Sequence, residues 1–229
     1  RLDGVTGVQT CALPICFLTV GNTTVKKLVM VGNHIDDIGS VSGNTTLTEL
    51  DLGRNKIVSV SALEGNLTLR ILRIADNYIR DLSPLQSTLV RELWLNGNPI
   101  GDITPLRGMM TLQHLDISTA DLTDISSLSG LVNLETLVLT NNRIIDISPL
   151  KDLRLTTVML GNNRIVDASC LKGNGTLENL YLNSNSITNI DFMKGNTTLT
   201  TLSIQNNQIY KISPLEGNTT LTHLYADRN

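Results

Sequence analysis

The sequence predicts an α/β-type repeat solenoid: a horseshoe with a concave parallel β-sheet and short 3₁₀ or irregular turns on its convex side. Three observations predict it. A motif recurs every 22 residues, twice shortened to 21, with copies starting at Val25, Leu47, Leu69, Val90, Leu112, Leu134, Leu155, Leu177 and Leu199 and a tenth begun at Leu221. Each copy opens as Leu-x-x-Leu-x-Leu-x-x-Asn-x-Ile or a close variant, as in Leu47, Leu50, Leu52, Asn55 and Ile57 and again in Leu134, Leu137, Leu139, Asn142 and Ile144. Finally, aromatic residues are only 3% of a 229-residue chain that is 41% hydrophobic, a composition suited to many small equivalent layers rather than one core built on bulky rings.

The Leu-x-Leu segment is the strand. Its period of two sends the fourth and sixth residues of each repeat to one face and the third, fifth and seventh to the other. Every copy runs in the same direction, so successive strands should pair in parallel about 4.8 Å apart, the leucines turned to a core and the odd positions to solvent.

The ninth position carries Asn33, Asn55, Asn77, Asn98, Asn142, Asn163, Asn185, Asn207 and Asn229. An amide offers donors and acceptors together, so stacked copies can satisfy main-chain groups where the strand turns away. The expected role is a structural ladder. The fifth repeat has Ala120 there, which predicts a gap and a locally weaker turn.

The return segment is too short for a long helix. Ser83-Pro84, Thr104-Pro105, Ser148-Pro149 and Ser213-Pro214 occupy its fifteenth and sixteenth positions, where the hydroxyl is expected to cap a helical turn and Pro to fix φ at its first residue. A 3₁₀ turn should follow. On these residues the chain resembles the leucine-rich repeat family over 17–229, and strings such as "NRIIDISPL" and "NPIGDITPL" resemble bacterial internalins and the eukaryotic protein-phosphatase-regulator class of repeat. The resemblance implies a protein-binding scaffold.

Residues 1–16, "RLDGVTGVQTCALPIC", match nothing later in the chain. Within them Val5 to Ile15 resemble the in-frame translation of a short-read sequencing adapter, so 1–16 are expected to be a non-native leader. The alternative is a secretory signal with Cys11 and Cys16 as a disulfide or metal pair, but a basic stretch followed by a long apolar core is missing. Residues 17–229 then form the repeat domain, nine full repeats over 25–220 flanked by partial ones. No atypical or polar cap is visible at either end, so an uncapped fragment that frays or aggregates alone is expected.

Function should reside in strand positions that the repeat does not constrain. The fifth position runs Val29, Asp51, Arg73, Trp94, Asp116, Val138, Met159, Tyr181, Ser203 and Tyr225. Trp94, the single tryptophan, should lie exposed on the concave face with Glu92 and His114 at the neighbouring third position. Trp, Tyr and Arg are enriched at binding hot spots. The candidate partner-binding patch is therefore Arg73, Trp94, His114, Asp116, Met159 and Tyr181, set against the reading that these positions vary neutrally.

Asn22, Asn44, Asn66, Asn174, Asn196 and Asn218 each begin an Asn-x-Thr glycosylation pattern. All share one repeat position, so copying of an ancestral unit multiplies the signal, and Leu131 or Leu153 stands there in other repeats; a structural turn is the preferred reading. A single remaining thiol, Cys170, points to a reducing cytoplasmic compartment, whereas sequons in use would place the chain outside the cell.

Catalytic signals are lacking: His34, His114 and His223 lie in distant repeats, and no phosphate loop, nucleophile elbow, zinc-binding helix or paired-cysteine motif occurs. No cofactor is expected. The row Asp81, Asp102, Asp124, Asp146 and Asp167 lacks the dense Gly-Asp loops of calcium-binding β-helices, so solvated turn residues are expected and no metal. A net charge of −3 without long charge runs predicts no nucleic-acid partner. The expected function is a scaffold binding a protein or peptide on its concave face, the alternatives being a cell-surface adhesin or receptor ectodomain and the substrate-recognition part of a larger enzyme.

Overall fold

A computed structural model describes residues 22–229, and the leader-like segment lies outside them. Ten strands of three residues each, β1 (Lys27–Val29), β2 (Glu49–Asp51), β3 (Ile71–Arg73), β4 (Glu92–Trp94), β5 (His114–Asp116), β6 (Thr136–Val138), β7 (Thr157–Met159), β8 (Asn179–Tyr181), β9 (Thr201–Ser203) and β10 (His223–Tyr225), form one open sheet in chain order. Every pairing is parallel and joins like positions, as in Leu50 with Leu72 and Asp51 with Arg73. The 21-residue repeats keep this register, Arg73 pairing with Trp94 and Thr136 with Thr157. The missing residue is therefore absorbed in the return segment.

The core runs the length of the solenoid. In the second repeat Leu47, Leu50, Leu52, Ile57, Val60 and Leu63 are all buried, and burial of each such side chain stabilises by roughly 1.5–3 kcal/mol. The eighth position has a left-handed backbone in every repeat, at Gly32 and Gly97 and at Arg54, Asp76, Asn141, Asn162, Ser184 and Asn206 among others. That conformation turns the chain off the sheet and delivers the next residue, the ladder Asn, inward.

Each ladder Asn fastens two repeats. Asn55 Nδ2 donates to the carbonyl of Met30 in the repeat before (2.9 Å) and of Leu52 in its own (2.9 Å), while its Oδ1 accepts the Ile35 N–H (3.0 Å). Asn77, Asn98, Asn142, Asn163, Asn185 and Asn207 repeat this geometry. Asn33 bonds to Met30 and Val31 of its own repeat. At Ala120 the ladder breaks: the Ile100 N–H turns to its own Asn98 carbonyl (2.9 Å), and Gly101 N–H reaches the Ala120 carbonyl at 3.1 Å. Thr119 and Asp121 on either side both adopt positive φ, a conformation that costs about 1 kcal/mol for such residues.

Nine 3₁₀ turns, from Gly39–Val41 to Ser213–Leu215, line the convex side of the described residues. Their capping differs from expectation. The fifteenth-position hydroxyl is not the cap, and Pro is the second rather than the first residue of the turn. The cap is the thirteenth-position Asp: Asp81 Oδ1 accepts the Ser83 N–H at 2.8 Å and its Oδ2 the Ser83 hydroxyl at 2.9 Å, and Asp102, Asp124, Asp146 and Asp167 accept the equivalent N–H. The backbone and hydroxyl donors of Ser83 hold the Asp81 carboxyl below its ordinary value. An Asx geometry starting two residues upstream of the turn does this because the aspartate reaches two residues forward.

The sequon asparagines form a second, partial ladder on the return flank. Asn66 Oδ1 accepts the Thr68 and Leu69 N–H groups (3.0 and 2.8 Å) and its Nδ2 donates to the Asn44 carbonyl (3.0 Å); Asn174 and Asn218 likewise reach back to Leu153 and Asn196. Asn22, Asn44 and Asn196 close the same turn through Oδ1. The position is half-buried when Asn and buried when Leu131 or Leu153.

Replacing Asn77 by Ala strands the Ile57 N–H in the core, while the Leu52 carbonyl keeps its bond from Asn55, and is expected to lower unfolding free energy by about 1–3 kcal/mol in denaturant titration. Amide exchange at Ile100 and Gly101, beside the Ala120 gap, is expected to exceed that at Ile57 and Ile144 by at least roughly tenfold.

Candidate protein-binding face

Strict register sets the fifth-position side chains in one row across the sheet: Arg73, Trp94, Asp116, Val138, Met159 and Tyr181 on β3 to β8. At about 4.8 Å per strand, Arg73 and Tyr181 stand roughly 24 Å apart. All six are half-buried by their neighbours in the row. Trp94 is thus less exposed than its phase alone predicts, and the reason is local. The His114 ring, on the next strand and two residues from Asp116, stacks on it with centroids 4.0 Å apart and planes 25° from parallel.

Arg73 does not stand free. Its Nη1 lies 2.6 Å from Glu49 and its Nη2 3.2 Å from Glu92, while Lys27 reaches Glu49 at 2.9 Å. The guanidinium carbon sits 5.8 Å from the centre of the Trp94 ring, within cation–π range. Lys27 and then Arg73 hold the Glu49 carboxyl below its ordinary value. Asp116 is tied into its own loop, accepting the Ser118 N–H and hydroxyl at 2.9 and 2.6 Å. The chain Lys27–Glu49–Arg73–Glu92 was missed at the sequence level; alternating charges at positions three and five of neighbouring repeats were its signal.

The stack leaves two polar atoms sheltered. Trp94 Nε1 and His114 Nε2 are buried and have no hydrogen-bond partner among the described residues. Burial lowers the His114 basicity, offset in part by Asp116 and Glu92, so the ring is neutral at physiological pH and stacks without carrying charge. Elsewhere, burial with help from Asp167 and Asp146 pushes the Cys170 thiol up to about 11; its Sγ lies 3.3 Å from the Ile147 carbonyl. A protonated thiol of this kind is a packing group rather than a nucleophile. Among the described residues no three His, Cys, Asp or Glu side chains gather to hold a metal ion, and no helix is long and apolar enough to cross a membrane.

Family models of leucine-rich repeats match residues 111–152 as a two-copy unit and residues 21–41, 43–61 and 195–209 as single repeats. No curated protein sequence matches the chain. Among solved structures, internalin C2 from Listeria monocytogenes is 26% identical with a TM-score of 0.70, covering 87% of this chain and 79% of that one. A second internalin of the same organism, inlF, is 28% identical with a TM-score of 0.59, covering 88% and 73%. A leucine-rich repeat protein of Leptospira interrogans shares the fold at 24% identity and a TM-score of 0.79, covering 90% of this chain and 55% of its own.

Native His114 binds its proton less readily than the unfolded side chain, whose ordinary value is 6.5. Its contribution to stability is therefore complete above that value and is lost as pH falls from 6.5 towards the lower native one. His114→Phe keeps a ring on Trp94 and removes both the titration and the orphaned nitrogen, so its melting temperature is expected to exceed wild type by more at pH 5.5 than at pH 7.5.

The repeat models, the one-register parallel sheet and the structural likeness agree, and the chain is a leucine-rich repeat protein, similar in fold to the internalins.

Proposed function

We propose that this chain is a protein-interaction scaffold whose concave sheet takes a protein or peptide partner across Arg73, Trp94, His114, Asp116, Met159 and Tyr181. Leucine-rich repeat folds generally serve protein–protein interaction, and no part of the site geometry calls for a reaction. The observation that carries the reading is the fifth-position row. Its members are fixed in place by strand register, yet their identity is free of the core and ladder demands that hold the rest of each repeat.

The row has two chemical halves. From β2 to β5 it and the third position carry Glu49, Asp51, Arg73, Glu92 and Asp116 around the Trp94–His114 stack. From β6 to β9 the same positions are Thr136, Val138, Thr157, Met159, Asn179, Tyr181, Thr201 and Ser203, without a formal charge. A partner crossing both meets a charged, aromatic anchor first and a neutral, partly apolar track after it. The anchor arrives preorganised, since the glutamates restrain Arg73 and the His114 ring restrains Trp94, which lessens the ordering cost of association.

Proximity labelling with wild type, Trp94→Ala and Arg73→Glu tests the patch. Both variants are expected to lose the same leading partners, with affinity at least about tenfold weaker for each isolated partner, as anchor truncation generally costs more than 1 kcal/mol. Partners retained unchanged by both variants would exclude this patch as the main site.

A further inference from the structure

We propose that the return flank of the solenoid is a second docking surface, an apolar ridge of Leu67, Leu89, Met110 and Val132 edged by Arg70, Arg91 and Arg107, and that it takes an acidic amphipathic α-helix of another protein. The ridge is separate from the concave row and does not depend on it.

Leu67, Leu89, Met110 and Val132 come from four consecutive repeats and occupy the same place, just after the half-buried asparagine or its replacement. They are 58%, 38%, 52% and 51% exposed. The fold does not ask for apolar residues there: other repeats put Thr45, Arg154, Gly175, Thr197 and Thr219 at this position, all exposed. Isolated surface leucines need no explanation, but an uninterrupted row of four large apolar side chains is a contiguous patch of the kind that marks an interaction site.

The charge beside the ridge selects the partner. Arg70 Nη1 donates to the Leu67 carbonyl at 2.8 Å, which lays the guanidinium against the first ridge residue. Arg91 holds the same position in the next repeat, its backbone N–H donating to the Arg70 carbonyl at 2.7 Å, and Arg107 lies three residues before Met110. None of the three has a carboxylate partner among the described residues, unlike Arg73, Arg54 and Arg143. Alongside the ridge itself the acids are Glu64, before Leu67, and Glu135, after Val132, so the middle of the ridge is basic and calls for carboxylates.

Spacing selects the conformation. The ridge presents one apolar side chain per repeat, about 4.8 Å apart at the sheet. A helix presents one per turn, about 5.4 Å apart, so over four repeats the mismatch accumulates to only about 2 Å. An extended strand presents same-face side chains about 6.7 Å apart and runs out of step by roughly 6 Å. At the far end Val132 joins Gln113, Asn133, Glu135, Arg154, Thr156 and Thr176 around a hollow of about 280 Å³, large enough for a side chain at the end of the helix.

The probe is a fluorescein-labelled helix of about sixteen residues with Leu once per turn and Glu flanking the apolar face, compared with the same peptide carrying Lys for Glu. In fluorescence anisotropy the Glu peptide is expected to bind wild type at least tenfold more tightly than the Lys peptide. Met110→Asp is expected to weaken it at least tenfold, and Arg91→Glu to remove or reverse the preference, with melting temperatures unchanged because both sites are exposed. Trp94→Ala should leave this binding intact, which separates failure of the ridge from failure of the concave site. Equal binding of both peptides, or insensitivity to Met110→Asp, would overturn the proposal. So would Met110-dependent capture by phosphatidylserine vesicles, or Met110-dependent self-association in sedimentation, without binding of the Glu peptide; those results would assign the ridge to a membrane or to a second copy of the chain.

Discussion

The structure depends on a buried amide that recurs once per repeat. A strand of three residues is too short to define a register by itself, and its ends expose main-chain groups that have no ladder partner. The ninth-position Asn resolves both problems. It spans the carbonyls of two successive strand ends and accepts an N–H from the repeat before, as Asn55 does with Met30, Leu52 and Ile35. Once those bonds are made, the leucines of adjacent repeats are in step and the core closes around them. The left-handed residue immediately upstream is the geometric condition for this arrangement, which explains why Arg54 and Ser184, neither a natural occupant of that backbone region, adopt it.

Much of this was legible in the sequence because repetition removes ambiguity. A single Leu-x-x-Leu-x-Leu is a weak signal, but nine copies with Asn in a fixed place leave one reading, and the strand positions, core residues and ladder follow residue by residue. The break at Ala120 was legible for the same reason, since an exception shows only against a rule. The turn caps were less legible. Ser83-Pro84 carries the familiar appearance of a helix start, yet the chain uses Asp81, two residues upstream, because a 3₁₀ turn of three residues has its one free N–H within reach of an Asx side chain.

The surface was read only in part. Periodicity placed Arg73, Trp94 and His114 on one face but could not supply side-chain conformations, and these decide the character of the patch. Arg73 is spent on Glu49 and Glu92 rather than standing ready for an incoming carboxylate, and Trp94 lies partly under His114. The apolar ridge escaped notice because its position falls in the return segment, where no periodic constraint distinguishes an inward from an outward residue. Leu67 and Leu131, adjacent positions in the repeat, look alike as letters; one is solvent-facing and the other is buried.

The two shortened repeats show where this architecture bends to change. Each loses its residue on the return flank while the strands stay paired position for position across it. Insertions and deletions are therefore filtered by location: those on the return flank are absorbed, and those between the strand and the ladder Asn would throw every later layer out of phase. The two flanks consequently evolve under different rules. The concave row can diversify only by replacing one side chain with another or by gaining and losing whole repeats, whereas the opposite edge is free to vary in length as well, so that recognition on one side can be rewritten without altering the ruler on the other.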